Sequence, residues 1–581
     1  MNPFAGWREE GAEAYLLRRL VTVAVLLFPS ACMLVDKSDS ACLLLLGLAG
    51  VWIWMRQGFR SGLSQREWLL AGAYAGFFLT AVLAFYLGEQ TDEGFRLLGR
   101  YLRFVFALPA LIVLKRYRPS ALVVWSGLGV GALLLGVDGV WERLGTQGFL
   151  RPEGDTNLAI LFGDLALLTA FCFAAGYVYI DSLLPRLGPW LMAAGVISGF
   201  SACLLSGARG AWVAVPVLLV LFLGARHVLR RRTVVVGGAA IAALFMLLYL
   251  LPQAHVRDRL TASVSQVRSY WHAAEDIRRR QGESACLDQV EVLQEWLAAK
   301  ERWQGRRFKV EVVTEQGAYA RMLTALGCLD GAVLHIRNDG FKPAHIWLPR
   351  ISRPGEAATT TLLVRGLGEL QFAMYPPSIR EISSGGYQVV QLIAPARFGR
   401  RLSVAVPPGG NLWLAPRETS PGEYRYTLMR SSIGQRLEMW HAAARLFQSK
   451  PLFGAGTGAF QHATRGLIQA GAVAPFIAEY DHPHDDYWDA LSSRGLVGLL
   501  ALLALLGVPA WLFISALQSN AAQRSTAGLG GLLVVTGFAI FGLTETMFIH
   551  SVTITWYVIM TLVFHVLADD SGAAGRDAGQ L

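Results

Sequence analysis

Residues 496–517 read LVGLLALLALLGVPAWLFISAL and contain no charged side chain. A helix needs about 20 consecutive apolar residues to cross the hydrocarbon core of a bilayer. Further apolar runs recur along the chain from Leu16 to His565. The composition agrees, because 54% of the 581 residues are hydrophobic and only 16% are charged, against about 25% charged in a soluble domain. The sequence therefore predicts an integral membrane protein, and it excludes a disordered chain, a collagen-like fibre and a disulfide scaffold.

The apolar runs predict an all-α polytopic fold with about 12 transmembrane helices. Helices 1–9 fall within residues 1–252 and helices 10–12 within residues 487–568. The first run has no small-residue cleavage site after it, so we predict a retained helix and not a signal peptide. The predicted spans lie near 15–34, 41–56, 67–87, 96–114, 120–140, 157–180, 189–206, 210–225, 233–252, 487–517, 527–546 and 549–568.

Lysine and arginine concentrate in alternate short loops. They cluster before the first predicted helix and after the second, fourth and eighth, whereas the loops between are acidic or mixed. The positive-inside rule places the basic loops and both termini in the cytoplasm. The formal net charge of +10 follows from this bias, so it does not indicate a nucleic-acid partner.

A long interval between the ninth and tenth helices contains no predicted span, and the topology places it outside the membrane. Residues 253–304 are predicted to be helical. Short β-rich runs separated by Gly and Pro turns over 305–418 indicate a small antiparallel sandwich or jelly-roll-like domain. Helical periodicity returns in 419–486, which leads to the tenth helix. The Gly- and Ala-rich end of the chain, 569–581, is predicted to be a disordered cytoplasmic tail.

Two of the six cysteines, Cys286 and Cys328, lie in the segment predicted to be outside the membrane. An oxidising compartment would allow them to form a disulfide. Two free thiols are the alternative, and the sequence supplies no geometry to decide between them.

Several arginines are predicted on the outer side, against the general charge bias. Arg151 follows the fifth helix, Arg209 lies between the seventh and eighth, and Arg100 and Arg103 share a face at the start of the fourth. Charge near the hydrocarbon is costly, so we expect an anionic partner. A guanidinium fork suits the phosphate oxygens of a lipid pyrophosphate. The alternative is snorkelling to lipid head groups or pairing with Glu142, Glu153 or Asp155.

A second polar cluster, YDHPHDDY at 480–487, immediately precedes the tenth helix. Asp485 and Asp486 are placed near the helix start, where carboxylates interact favourably with the helix dipole. A histidine here can take a proton from a sugar hydroxyl near neutral pH. Two histidines with carboxylates also suit zinc or manganese, and ordinary capping with surface histidines is a third interpretation. These residues alone leave the three interpretations open.

The spacing His484-Asp485, nine residues, Gly495, two residues, Gly498 resembles the His-[Asn/Ser/Gln]-x9-Gly-x-x-Gly signature of bacterial O-antigen ligases. Their polymerase and protein O-oligosaccharyltransferase relatives share it. The resemblance covers roughly residues 95–270 and 430–565. Four further segments resemble family motifs in the same order, namely 151–157, 206–212, 432–440 and 451–460.

Two features depart from the family pattern. Asp485 stands where the family has an amide or serine, and a carboxylate there is expected to raise the pKa of His484. The β-rich residues 305–418 are not part of the pattern and are interpreted as an insertion. Acceptor recognition, partner docking and a passive spacer are all open roles for it.

The resemblance implies a glycosyltransferase of the bacterial inner membrane with its active site on the periplasmic side. It would move a glycan from undecaprenyl pyrophosphate to an acceptor sugar hydroxyl, such as that of lipid A-core. The implied partners are this donor, the glycan acceptor and membrane lipids, with no metal, no other cofactor and no nucleic acid. A polymerase or a protein O-oligosaccharyltransferase would share the donor chemistry. A lipid-linked glycan transporter would need the arginines but not the histidine cluster.

The resemblance also implies roles for individual residues. His484 would position or deprotonate the acceptor hydroxyl, and Arg151 and Arg209 would hold the pyrophosphate. Gly495 and Gly498 would permit close helix packing. Further pyrophosphate contacts are predicted at Arg100, Arg103 and Arg436, the last with a structural ion pair as its alternative. The supporting residues around the histidine are predicted to be His482, Asp485, Asp486 and Tyr487.

Overall fold

The computed structural model describes residues 11–57, 62–145, 152–156, 158–225, 267, 270, 432–470 and 472–569, together with eight strands between 308 and 415. The helices before the strands are α1 (Ala12–Leu34), α2 (Ser38–Gln57), α3 (Gln65–Leu87), α4 (Asp92–Arg116), α5 (Ala121–Gly145), α6 (Ala159–Ala175), α7 (Tyr177–Leu183), α8 (Gly188–Ser206) and α9 (Arg209–Gly224). The helices after them are α10 (Ser432–Ser449), α11 (Phe460–Gln469), α12 (Asp486–Leu517), α13 (Ala522–Phe541) and α14 (Ser551–Ala568).

The chain is a multi-pass membrane protein. Nine helices among the described residues are long and apolar enough to cross a membrane, namely α1 to α5, α8, α12, α13 and α14. The predicted spans at 157–180 and 210–225 correspond to shorter apolar helices, α6 and α9. The predicted span at 233–252 lies outside the described residues, so the count of twelve stays a prediction.

Helix α6 is shorter than the predicted span because Gly176 interrupts it. A side chain at this position would meet the Trp125 ring of α5, whose nearest atom lies 2.5 Å from an ideal Cβ. The chain turns at Gly176 and starts the separate short helix α7 at Tyr177.

Ion pairs join helix ends at one end of the bundle. Ser64 and Glu67 form a capping box at the start of α3, and Glu67 also accepts from Lys115 Nζ at 2.7 Å, at the end of α4. Arg118 pairs with Asp569 after α14 at 2.6 Å. These residues lie at the opposite end of α3 and α4 from the loop that joins those two helices.

Tyr557 of α14 lies at the centre of the helical core. Its ring contacts Phe538 of α13 and Phe548 of the α13–α14 loop, with centroids 4.9 and 5.2 Å apart. Its hydroxyl donates to the Leu505 carbonyl of α12 at 2.7 Å. Tyr557 therefore joins α12, α13 and α14, and it supports the loop between the last two.

Helix α12 is kinked at Gly495, whose φ is +64°. The loop 451–456 inserts at the kink. Leu496 N–H donates to the Pro451 carbonyl at 2.8 Å, and Ala455 N–H donates to the Ser492 carbonyl at 2.8 Å. An ideal Cβ on Gly495 would lie 2.4 Å from the Leu452 backbone. The close packing predicted for this glycine is therefore with a loop and not with another helix.

Eight antiparallel strands lie between 308 and 415. They are β1 (Phe308–Val313), β2 (Val333–Asn338), β3 (Ala344–Trp347), β4 (Ala358–Arg365), β5 (Ser378–Ser384), β6 (Tyr387–Ala394), β7 (Ser403–Val406) and β8 (Asn411–Ala415). One sheet has the order β1-β2-β8-β4-β6-β5, and β3 pairs with β7. In the first pair, Phe308 lies opposite Asn338 and Val313 opposite Val333.

The strands belong to a different compact unit from the spanning helices. That unit comprises Val256–Glu438 and Ala474–Phe476. Strands occur where the sequence predicted β-rich runs, but a sandwich that folds as an inserted domain stays a prediction. Cys286 and Cys328 lie outside the described residues.

We predict that Gly495→Ala lowers the thermal stability of the purified protein in detergent. Gly495 has φ +64° and ψ −158°, a region essentially restricted to glycine, where alanine costs roughly 1–3 kcal/mol. The alanine Cβ would also meet the Leu452 backbone. Gly507→Ala is the matched control in the same helix, because an ideal Cβ on Gly507 would have no atom within 4 Å. This control should keep or raise the melting temperature. Equal melting temperatures for the two variants would contradict this account of the kink.

Candidate active site

The histidine cluster lies where the start of α12 meets the loop between α13 and α14. Asp485 N–H donates to Thr546 Oγ1 at 2.9 Å, and Asp486 N–H donates to the Gly542 carbonyl at 2.7 Å. His484 itself has φ +51°, a conformation uncommon for residues other than glycine. The main-chain N–H groups of Asp485 and Asp486 thus fix the start of α12 onto residues 542–546.

Asp485 is the N-cap of α12. Its Oδ1 accepts from the N–H groups of Tyr487 and Trp488 at 2.9 and 2.8 Å. Asparagine, serine and aspartate are all effective N-caps because each offers a side-chain oxygen to these donors. The aspartate in place of the family's amide or serine therefore keeps the capping function.

Asp486 holds the α13–α14 loop. Its carboxylate is buried and accepts from Met547 N–H and Phe548 N–H, both at 3.1 Å. These groups begin a short 3₁₀ turn, Met547–Ile549. The role of Asp486 is thus to fix the loop that faces His484.

His484 is hydrogen-bonded to Glu545, a residue of that loop. His484 Nδ1 lies 2.6 Å from Glu545 Oε1, and the same oxygen accepts from Thr546 N–H at 3.1 Å. Glu545 is buried, whereas 27% of the His484 side chain is exposed. Burial opposes the ionisation of Glu545, but its interactions with His482 and His484 outweigh it and hold the Glu545 pKa well below its usual value.

His482 lies beside His484, with ring centroids 4.3 Å apart. Its Nδ1 lies 2.5 Å from Asp481 Oδ1, and its Nε2 lies 3.6 Å from Glu545 Oε1. That second distance is too long for a hydrogen bond. Burial opposes protonation of His482, but the carboxylates of Asp481 and Glu545 outweigh it and raise the His482 pKa to about 9. The hydrogen bond with His482 lowers the Asp481 pKa to about 2.

A third histidine, His550, completes the cluster at the start of α14. Its ring centroid lies 6.2 Å from that of His482. Burial, and then the positive charge of His482, lower the His550 pKa to about 4. His550 is therefore neutral beside the other two histidines.

Two aromatic residues connect the cluster to neighbouring helices. Trp440 Nε1 of α10 donates to the Pro483 carbonyl at 3.2 Å. The Tyr487 hydroxyl donates to the Ala539 carbonyl of α13 at 2.8 Å. Tyr487 thus fixes α12 to α13, and Trp440 links the family-like segment 432–440 to the histidine loop.

The structure brings one predicted arginine close to the cluster. Arg100 donates to the Ile549 carbonyl at 3.3 Å, next to His550, and pairs with Glu93 at 3.2 Å. It therefore lies at the histidine end of the bundle, with part of its side chain exposed.

Arg103 points into the bundle instead. It donates to Ser40 Oγ at 2.6 Å and to Thr555 Oγ1 at 3.1 Å, and it lies 3.8 Å from the buried carboxylate of Asp39. Pairing with a carboxylate was the alternative for these arginines, although Asp39 was not among the predicted partners. This pairing makes Arg103 a weaker candidate for the pyrophosphate than Arg100.

The described residues do not give the positions of the remaining predicted arginines relative to the cluster. Arg151 lies outside them, and for Arg209 the structure describes only the backbone, which begins α9. Arg436, in α10, belongs to the compact unit of the strands. Their roles stay predictions.

Glu545 and His550 are the site residues that the sequence interpretation did not single out. Glu545 fell inside the predicted span 527–546, whereas α13 ends at Phe541. A carboxylate within an otherwise apolar span was the available signal, since ionisable residues in such segments are costly and commonly functional.

Residues 427–503 match a family model described as O-antigen ligase. The resemblance to the O-antigen ligase family is confirmed over these residues. The matched segment contains α10, the loop 451–456, the cluster residues from Asp481 to Tyr487 and the kink of α12. Glu545 and His550 lie beyond it.

One relative of the chain is a Haemophilus influenzae protein described as uncharacterized. It is 22% identical over 136 residues, which are 23% of this chain and 34% of the relative. The chain thus spans about a third of the length of that relative.

We predict that Asp485→Asn keeps the stability of the protein and that Asp485→Ala loses about 1 kcal/mol of it, because only the amide retains an N-cap oxygen. Thermal unfolding in detergent would measure both. If asparagine destabilised as much as alanine, the negative charge of Asp485 would matter and the capping account would be wrong.

Proposed function

We propose that this protein is an O-antigen ligase-type glycosyltransferase of the bacterial inner membrane. It transfers a glycan from undecaprenyl pyrophosphate to an acceptor sugar hydroxyl at the periplasmic face, without a metal. The observation that carries the proposal is the His484–Glu545 hydrogen bond, because it gives the family's signature histidine the environment of a general base.

The hydrogen bond determines which nitrogen of His484 is free. Glu545 Oε1 already accepts from Thr546 N–H, so it acts as an acceptor and His484 Nδ1 is the donor. The lone pair is then on Nε2, and a carboxylate behind an imidazole both orients the ring and stabilises its protonated form. His484 is also more exposed than Glu545, which leaves room for a substrate hydroxyl.

The proposed reaction is a single group transfer. His484 Nε2 takes the proton of the acceptor hydroxyl while that oxygen forms a bond to the anomeric carbon of the donor glycan. The bond from the anomeric carbon to the pyrophosphate oxygen breaks, and the electron pair leaves with undecaprenyl pyrophosphate. Guanidinium groups stabilise the charge that develops there.

In our proposal, arginine side chains provide these guanidinium groups. Arg100 is the candidate that the geometry supports, because it contacts the carbonyl next to His550. Arg151 and Arg209 enter through the resemblance of their segments to family motifs. Arg103 ranks behind them because Asp39 already neutralises it.

The acceptor distinguishes the alternatives within the family. A polymerase would use another lipid-linked glycan and a protein O-oligosaccharyltransferase a serine or threonine, while the donor and base would be the same. We propose that the β-rich residues 305–418 contribute to acceptor recognition. A transporter is disfavoured because moving a lipid-linked glycan requires no base held by a carboxylate.

We predict the topology from the two ends of the bundle. A reporter fused within 320–400 should be active in the periplasm, and one fused after Arg118 should report the cytoplasm, because the Lys115–Glu67 and Arg118–Asp569 end is the basic one. Both fusions should be expressed at full length. A cytoplasmic signal from the 320–400 fusion would overturn the placement of the active site.

For the chemistry, we predict that His484→Ala lowers turnover by about 10²–10⁴-fold, the usual contribution of a general base, while donor binding is kept. Arg151→Ala and Arg209→Ala should weaken donor binding as well, since a phosphate would lose its partner. The measurement is in vitro transfer from a purified lipid-linked glycan, with donor binding assayed separately.

Two comparisons control this experiment. His462→Ala changes a histidine that is also 2.6 Å from a glutamate, Glu89, but lies outside the cluster, and it should keep wild-type turnover. His482→Ala should be milder than His484→Ala. Wild-type rates in His484→Ala would refute the proposed base, whereas loss of donor binding in that variant would assign His484 to the donor site.

A further inference from the structure

Three side chains of the cluster each have one potential metal-ligand atom close to those of the other two. The ligand atoms of His482, His484 and Glu545 all lie within 4.8 Å of one another. Two imidazoles and one carboxylate are a ligand set that zinc favours. Calcium and magnesium prefer sites made of oxygen atoms, so the set selects a zinc-class divalent cation.

His482 is oriented as a metal ligand would be. Its Nδ1 is held by Asp481 at 2.5 Å, so its Nε2 faces Glu545. That Nε2 is buried and has no hydrogen-bond partner among the residues that the structure describes. Metal-binding histidines almost always have their second nitrogen on a carboxylate or carbonyl, which fixes the tautomer and the ring. Asp481 supplies this support.

We propose that His482 Nε2, His484 Nδ1 and the Glu545 carboxylate bind a zinc-class cation, and that its binding inhibits transfer. This inference goes beyond the proposed function, in which catalysis itself needs no metal. In the absence of the cation, a proton occupies the hydrogen bond between His484 Nδ1 and Glu545.

Inhibition follows from the two nitrogens of His484. A cation can bind His484 Nδ1 only after that nitrogen has lost its proton, and the positively charged His482 must likewise release the proton on Nε2 to solvent. The neutral ring then carries its hydrogen on Nε2, which can no longer accept one from an acceptor hydroxyl. Glu545, now a ligand, also ceases to stabilise a protonated ring. One binding event therefore removes both parts of the proposed base.

The first test measures zinc binding to the purified full chain by equilibrium dialysis and elemental analysis. Wild type should bind one tight equivalent more than His482→Ala or Glu545→Gln. Asp481→Asn, which keeps the size of the side chain, should weaken zinc affinity at this site by about 10–100-fold, as expected when a residue that orients a metal ligand is changed. His462→Ala, which changes a histidine–glutamate pair outside the cluster, should bind as wild type.

Size-exclusion chromatography in detergent checks that each variant is folded, since a folded variant elutes as a single species. Equal zinc content and affinity in wild type, His482→Ala and Asp481→Asn would overturn the site. Asp481→Asn provides the test if His482→Ala or Glu545→Gln fails to fold.

The second test measures transfer by wild type with added zinc and with chelator. Zinc should abolish transfer, and chelator should restore it. Transfer that continues with zinc bound would overturn the inhibition. Transfer that is lost with chelator and regained with zinc would instead refute metal-independent catalysis, so the failure of the proposed function differs from the failure of this inference.

Discussion

The contact on which the site depends is the buried carboxylate of Asp486. It accepts the N–H groups of Met547 and Phe548, while its own N–H donates to the Gly542 carbonyl. Main-chain N–H and C=O groups that are left unpaired in an apolar surrounding each cost on the order of several kcal/mol. A buried loop at the end of spanning helices must therefore pair them. Asp486 therefore decides that the loop carrying Glu545 is folded against the start of α12, and hence that Glu545 faces His484.

The need to pair main-chain groups also explains the kink of α12, further along the helix. Gly495 interrupts the helical hydrogen bonds, and the loop 451–456 replaces them through Leu496 and Ala455. The family-like segment 451–460 and the signature glycine are thus two sides of one main-chain contact. Their spacing is fixed because backbone, and not side chain, occupies the gap. This explains why motifs distant in sequence from His484 belong to the same pattern.

The sequence predicted those features whose cause is local. Apolar runs indicated the spanning helices, and β-branched runs indicated β1, β2, β4, β6 and β7. Strand β5, SIREISS, was missed because it is largely polar. Strands β3, AHIW, and β8, NLWLA, were also missed, because β3 contains one β-branched residue and β8 contains none. Arg103 was grouped with Arg100 by helical spacing, yet it pairs with Asp39 of α2. Such a pairing depends on how α2 and α4 pack, which no local pattern reports.

The carboxylate that contacts His484 also depends on how distant segments pack, which no local sequence pattern reports. Asp485, adjacent in sequence, was the carboxylate expected to act on His484, but its Oδ1 is occupied by two N–H groups of α12. The carboxylate that contacts the histidine is Glu545, 61 residues later. A capping position accepts asparagine, serine or aspartate with similar effect, so variation there carries no information about the charge on the histidine. The signature therefore identifies the candidate base, while the carboxylate that contacts this histidine is determined by the fold of the α13–α14 loop.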